Sequence, residues 1–254
     1  MKLYGLIGYP LGHSFSKKYF TEKFIKEGID DCRYENFPIK TISELKTLLS
    51  QNPQLCGLNI TIPHKQVVLP FLDDSTKLPE GLNACNCIKI VEGKLVGYNT
   101  DVTGFERSLR LKLKDYHTKA LVLGNGGAAE AVKFVLNKLH IDFKIVSRRL
   151  HDGSHLTYTD LNKDIIKQNL LVINTTPLGT FPKIDECAAI PYEYLTTQHL
   201  LYDLVYNPAE TLFLQNGQQQ GAVIKNGSDM LLIQAEESWR IWNDIDAVKN
   251  ISIT

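Results

Sequence analysis

The chain has 254 residues, 43% of them hydrophobic and 22% charged, which suits one large or two modest folded domains and is unlike a disordered segment. Lys and Arg together number 28, as do Asp and Glu, so no net field draws the chain to nucleic acid or an acidic membrane. No apolar run approaches the ~20 residues that span a bilayer.

Strand-like runs alternate with helical ones from the start. Leu3–Gly8 predicts a strand rather than a signal peptide, Lys17–Glu27 a helix, Tyr34–Phe37 a strand and Ile42–Ser50 a helix. Cys56–Ile62 reads as a further strand, with Asn59 and Thr61 on one face and Ile60 and Ile62 turned to the core. Gln66–Leu72 reads as a helix. Cys85–Val91 and Lys94–Tyr98 join through Glu92-Gly93 as a hairpin. An amphipathic helix in Asp101–Leu113 is expected to link two halves. The second half has strands at Ala120–Leu123, Phe143–Ser147, Leu170–Asn174, Leu200–Asp203 and Ala222–Lys225, with helices after Gly126, near Tyr158 and near Pro208. Ser228 is read as the N-cap of a helix over Asp229–Trp242. Its two tryptophans and Met230-Leu-Leu-Ile carry more apolar surface than a free tail would expose.

This pattern predicts an α/β protein in three parts. Residues 1–101 form an N-terminal α/β domain with a mostly parallel sheet, and residues 102–227 a Rossmann-type domain. Residues 228–254 supply a C-terminal helix that packs back on the first domain. Five cysteines without a CxxC spacing point to a reducing, cytoplasmic setting. Cys85 and Cys87 read as alternate strand positions, and no metal is expected.

Gly124-Asn-Gly-Gly-Ala-Ala129 joins a strand to a helix, a turn tight enough for pyrophosphate to reach backbone N–H groups. Gly124, Gly126, Gly127 and Ala128 are its candidate contacts. The next strand ends in Ser147-Arg148-Arg149, placing two guanidinium groups where an acid would hold a free ribose 2′-OH. Cations there favour a 2′-phosphate, hence NADP(H) over NAD(H). Asp142 lies at the wrong end of that strand to serve. Asn174-Thr-Thr-Pro-Leu-Gly179 ends another strand at the same edge, with Thr175 a candidate for the nicotinamide ribose.

Polar clusters punctuate the first half: Gly12–Ser16, Asn59–Lys65, Ala84–Asn86 and Asn99–Asp101. Two serines two apart suit one carboxylate, and the clusters together suit a small polyhydroxylated acid. Reducing a ketone needs a hydride on one face and a proton on the developing alkoxide. An ammonium beside a carboxylate can give that proton and recover it, which makes Lys65 and Asp101 the candidate catalytic pair. His13 and His64 read as structural.

These motifs, in this order, resemble the shikimate dehydrogenase family. The family's G-x-P-h-x-H-S-x-S is matched by Gly8–Ser16, its N-h-T-h-P-x-K by Asn59–Lys65 and its N-T-D-x-x-G by Asn99–Gly104. Its Y-D-h-h-Y is matched by Tyr202–Tyr206 and its G-x-x-M-L by Gly227–Leu231, followed by Gln234. The resemblance implies that Ser14 and Ser16 bind the substrate carboxylate, while Asn59, Thr61, Asn86, Asp101 and Gln234 meet its hydroxyls or carbonyl, with Tyr206 nearby. It further implies that Lys65 and Asp101 are catalytic and that Arg148, with Ser147 and Arg149, grips the 2′-phosphate. Gly227 and Met230 would lie near the nicotinamide.

The expected activity is reversible NADPH-dependent reduction of 3-dehydroshikimate to shikimate by a monomer or homodimer. A quinate/shikimate dehydrogenase of broader specificity and a non-catalytic sensor are the alternatives. Three positions depart from the family pattern: Lys17 replaces a proline, Cys87 a threonine, and Tyr98 stands where many members have aspartate.

Overall fold

The computed structural model describes residues 1–12, 15–150 and 153–245. Its backbone divides into two compact units. The first comprises residues 1–100 with the C-terminal stretch from Gln234, and the second comprises Asp101–Ile233.

In the first unit, β1 (Lys2–Gly8), α1 (Phe15–Glu27), β2 (Cys32–Pro38), α2 (Leu45–Gln51), β3 (Leu55–Ile60) and α3 (His64–Val67) precede the hairpin of β4 (Cys87–Val91) and β5 (Lys94–Tyr98). The sheet order is β2-β1-β3-β4-β5. The first three strands are parallel, and β4 and β5 are added antiparallel. Glu92 and Gly93 both take positive φ at the hairpin turn, the backbone that matches strand twist in a two-residue loop. The segment expected as one helix over Gln66–Leu72 breaks into α3 and a 3-10 turn at Leu69–Phe71, because Pro70 has no N–H to continue the helix. The strand expected to reach Ile62 stops at Ile60, and Ile62 is 64% exposed rather than in the core.

α4 (Thr100–Arg110) begins at the division between the units. The second unit then runs β6 (Lys119–Leu123), α5 (Gly127–Lys138), β7 (Asp142–Ser147), β8 (Leu156–Thr157), α6 (Lys163–Gln168), β9 (Leu171–Asn174), β10 (Leu200–Asp203), α7 (Leu212–Gln219) and β11 (Val223–Lys225). The order β11-β10-β9-β6-β7-β8 is parallel throughout. This is the doubly wound Rossmann arrangement, whose order reverses between β6 and β9. The helix expected near Pro208 starts only at Leu212, where the Thr211 hydroxyl accepts from Leu214 N–H as an N-cap.

α8 (Ser228–Trp242) closes the described chain. At its start Asn226 Oδ1 accepts the Ser228 N–H at 3.2 Å. From Gln234 onward this helix belongs to the first unit. There the Trp242 indole stacks on Tyr4 at 4.8 Å and donates to Ile88 O at 2.9 Å. Phe20, Phe24 and Trp239 complete an aromatic cluster around it. Phe20 and Phe24 are four apart on α1, so both point inward. No helix among the described residues is long and apolar enough to cross a membrane.

The indole lies directly over Gly57, where any Cβ would overlap its ring. Gly57→Ala should therefore lower stability by about 1–3 kcal/mol through overpacking. Urea unfolding followed by tryptophan fluorescence reads this, since both tryptophans lie in this cluster. An unchanged midpoint would mean the indole does not rest on β3.

Candidate functional site: a buried polar chain and a glycine turn

In the first unit, the expected substrate residues Asn59, Asn86 and Gln234 are joined by one buried chain of hydrogen bonds. The Tyr34 hydroxyl donates to Asn59 Oδ1 at 2.9 Å, and Ser16 is buried on α1. Burial holds the Tyr34 phenol well above its usual pKa. Asn59 Nδ2 donates to Ser238 Oγ at 2.8 Å and to Asn86 O at 3.4 Å. Ser238 donates to Gln234 O at 2.9 Å and lies 3.2 Å from Thr100 Oγ1. Asn86 completes the chain, its Oδ1 accepting Thr100 N–H at 2.6 Å and its Nδ2 donating to Thr100 Oγ1 at 3.0 Å.

Both Asn59 amide hydrogens are thus committed inside the protein. Among the described residues, Asn86 uses one of its two amide hydrogens, on Thr100.

The segment Ala84–Asn86 straps the reactive candidates to this chain. Ala84 O accepts from Asn99 Nδ2 at 2.8 Å, and Cys85 N–H donates to Lys65 O at 2.8 Å. Lys65 is half-buried on α3, and Thr61 is half-buried just before it. Asp101 follows Thr100 directly, is itself buried, and opens the second unit. His64 is buried, with Nε2 2.8 Å from Ile39 O. Lys17 forms an ion pair with Glu35 at 2.6 Å, so its extra charge is balanced within the chain. Ser14 and His13 fall outside the described residues.

Among the residues of this chain, Tyr34 and Ser238 carried no sequence signal that singled them out. Thr100 lies within a quoted motif but had no assigned role. The one usable hint was spacing, since Ser238 lies one helical turn beyond Gln234 on the same face.

In the second unit, the glycine turn sits at the junction of β6 and α5. Gly124 has φ +98 and donates to Val146 O at 2.8 Å. A Cβ there would meet Thr176 Cγ2 at 2.8 Å, so only glycine fits without displacement. Beyond Gly126 and Gly127 a Cβ would meet nothing within 4 Å, which leaves open space at the N-terminus of α5. Its N-cap is Gly126, which has no side chain to cap that helix end. Backbone N–H groups at a positive helix end, with room above Gly126 and Gly127, fit a pyrophosphate. Ala128 lies in the first turn.

Ser147 is buried, and its hydroxyl donates to Arg149 O at 2.6 Å. This bond shapes the exposed Arg148-Arg149 turn at the same sheet edge. Such a pair suits the 2′-phosphate of NADP(H). The Thr175 hydroxyl donates to Leu123 O at 2.8 Å, so toward a ligand it offers lone pairs rather than its proton.

The β9 and β10 ends are organised by Asp203, which has no exposed surface. It accepts from Asn174 Nδ2 at 2.9 Å, Val205 N–H at 3.0 Å and Thr211 Oγ1 at 2.5 Å. Asn174 Oδ1 in turn accepts Thr176 N–H at 3.0 Å and its hydroxyl at 2.6 Å. Gly227 N–H donates to Val205 O at 3.1 Å, and a Cβ at 227 would overlap Leu204 O. Tyr206 is partly exposed beside Val205, and Met230 is half-buried in the first turn of α8. Sequence reasoning did not single out Asp203.

A Rossmann sheet with an open glycine turn, in a chain whose other unit is a mixed α/β sheet, is the arrangement of dinucleotide-binding oxidoreductases. The profile of the shikimate dehydrogenase substrate binding domain matches residues 6–88. The shikimate dehydrogenase (NADP(+)) of Methanococcus maripaludis is 35% identical over 257 residues, covering 95% of this chain and 91% of that protein. A Thermus thermophilus shikimate 5-dehydrogenase structure with NADP(H) and shikimate is 26% identical, with TM-score 0.82 over 96% of this chain and 94% of that one. A quinate dehydrogenase from Corynebacterium glutamicum in complex with NAD is likewise 26% identical, with TM-score 0.82 and the same coverage. The chain belongs to the shikimate dehydrogenase family.

Burial raises the Asp203 pKa from 3.8 to about 6, against the three hydrogen bonds that lower it. Between those two values the folded chain holds more protons than the unfolded one. This group therefore favours folding as pH falls through about 6, and its ionisation costs stability above that. The difference in unfolding free energy, Asp203→Asn minus parent, should fall by about 2 kcal/mol from about pH 7.5 to about pH 4.5. Urea unfolding at both values measures it; a pH-independent difference would contradict the titration.

Proposed function

We propose that this chain catalyses the reversible NADP(H)-dependent interconversion of 3-dehydroshikimate and shikimate, with the first unit binding the substrate and the second the cofactor. The observation that carries this reading is the continuous polar chain through Tyr34, Asn59, Asn86, Thr100, Ser238 and Gln234, with Lys65 strapped to it through Cys85. It supplies hydroxyl and amide groups in a buried, pre-oriented set, as recognition of a small hydroxylated acid requires. The five free cysteines support a cytoplasmic enzyme, and we read it as a monomer or homodimer.

In this account Ser14 and Ser16 hold the substrate carboxylate. Thr61, Asn86, Gln234 and Tyr206 meet the ring hydroxyls or carbonyl, and Asn59 offers only its carbonyl lone pair. Gly124, Gly126, Gly127 and Ala128 hold the pyrophosphate. Ser147, Arg148 and Arg149 hold the 2′-phosphate, while Thr175, Gly227 and Met230 flank the nicotinamide. When bound, NADPH supplies the hydride that reduces the ketone. The Lys65 ammonium donates its proton to the oxygen as negative charge develops there, leaving a neutral amine that is reprotonated before the next turnover. In oxidation the neutral amine takes the hydroxyl proton. Asp101, the second member of the pair, meets the ring hydroxyls or carbonyl.

A second reading, broader activity on quinate, is favoured by the likeness to the Corynebacterium glutamicum quinate dehydrogenase. The exposed arginine pair favours NADP(H) in either case.

Steady-state oxidation of shikimate and quinate with NADP+ and NAD+ tests the assignment. Shikimate with NADP+ should give the highest kcat/KM, and preference for NAD+ would refute the role of Arg148 and Arg149. Lys65→Met should lower kcat by about a hundredfold or more while changing the shikimate KM little. Near-parental kcat would remove Lys65 from the chemistry.

A further inference from the structure

The second unit carries a buried ionisable group that the proposed chemistry does not use. Asp203 lies at the carboxyl end of β10 with no exposed surface and three donors on its two oxygens. A buried carboxylate is costly unless every such bond is made. Each of its partners controls a different piece of the sheet edge.

Through Asn174 it reaches Thr176, whose N–H and hydroxyl both bond Asn174 Oδ1. Thr176 also accepts from Leu178 N–H at 3.3 Å, so the turn from Asn174 to Gly179 hangs from this one amide. The Thr176 methyl lies over Gly124, linking that turn to the glycine loop. Through Val205 N–H, Asp203 sets the Leu204–Tyr206 segment, and Val205 O receives Gly227 N–H at the start of α8. Through Thr211 it holds the cap of α7.

The location identifies what these segments serve. β6, β7 and β8 form the half of the sheet that carries the glycine turn and the arginine pair, and so the adenine end of a dinucleotide. β9, β10 and β11 lie beyond the point where strand order reverses, and the other end of a dinucleotide crosses to that side.

We propose that Asp203 is the positioning residue for the nicotinamide half of the cofactor, holding the Asn174–Gly179 and Leu204–Tyr206 segments in the arrangement that half requires. The inference rests on the reading of this chain as an NADP(H)-dependent dehydrogenase. Asp203 touches no reacting atom in this account; it acts through Asn174, Thr176 and Val205. An asparagine could take its place: Oδ1 would keep Asn174 and Val205, and Nδ2 would donate to Thr211 Oγ1 once that hydroxyl turned.

The test is calorimetric binding of two ligands to the full chain. One is NADP+; the other is adenosine 2′,5′-bisphosphate, which carries only the adenine end. Asp203→Ala should raise the Kd for NADP+ by about tenfold or more and leave that for the bisphosphate within about twofold. Asp203→Asn should restore NADP+ binding to within about twofold of the parent. Equal weakening of both ligands would reduce Asp203 to a general structural group and overturn the proposal, as would unchanged NADP+ binding.

Should the alanine variant fail to fold, Thr176→Val decides instead. It removes the hydroxyl donor to Asn174 from a half-buried turn without touching the core, and the same selective loss of NADP+ affinity is expected. A parent chain that binds NADP+ and oxidises shikimate while either folded variant binds NADP+ normally would sink this inference alone. A parent that does neither would sink the functional reading and the inference with it.

Discussion

Ser238 is the joint on which the first unit depends. Its hydroxyl receives Asn59 from β3, donates to the backbone of its own helix and lies against Thr100 at the start of α4. These groups are buried, and each would cost about 1–3 kcal/mol if left without a partner. The requirement fixes the register of α8 on the sheet more narrowly than apolar packing does. Trp242 and Trp239 supply the attraction through area and ring contacts, while Gly57 supplies the clearance. Sliding the helix by one residue would carry Ser238 about 100° around its axis and leave Asn59 unpaired.

The second unit solves a related problem by other means. Its parallel strands end together at one edge, where loops must expose backbone groups to a ligand yet hold still. Gly124 removes a side chain at the closest approach, and Asp203 ties the segments after β9 and β10 together from beneath. The first unit orients polar side chains with neutral hydroxyls and amides; the second uses a single buried carboxyl. In the proposed reading both place the ordering group behind the surface that would meet the ligand, so the contact residues are oriented in advance.

Much of this was legible in the sequence because it follows local rules. The glycine turn is announced by a strand, three glycines and a helix, and the hairpin by Glu92-Gly93 between alternating runs. Lys65, Asp101 and Arg148 occupy motif positions that a linear reading can find. Failures came where a distant partner or a single backbone atom decides. Ile62 belongs to the alternation of β3, yet the strand stops two residues earlier, before the turn into Pro63. Pro70 divides a run whose apolar spacing looks continuous. Tyr34 resembles an ordinary strand tyrosine and Ser238 an ordinary helix serine; their roles arise from contacts 25 and 179 residues away along the chain. Asp203 is part of a recognisable motif, but nothing in the motif says that its carboxyl faces inward.

The central claim is a direct hydride transfer coupled to a proton from Lys65, and isotopic labelling addresses the first of these steps most directly. Incubating the chain with 3-dehydroshikimate and NADPH deuterated at both C4 positions, then analysing the product by mass spectrometry and NMR, follows the hydride itself. The account predicts shikimate carrying one deuterium, on the carbon that bore the ketone. Shikimate formed without deuterium at that carbon, or no turnover of this substrate, would contradict it.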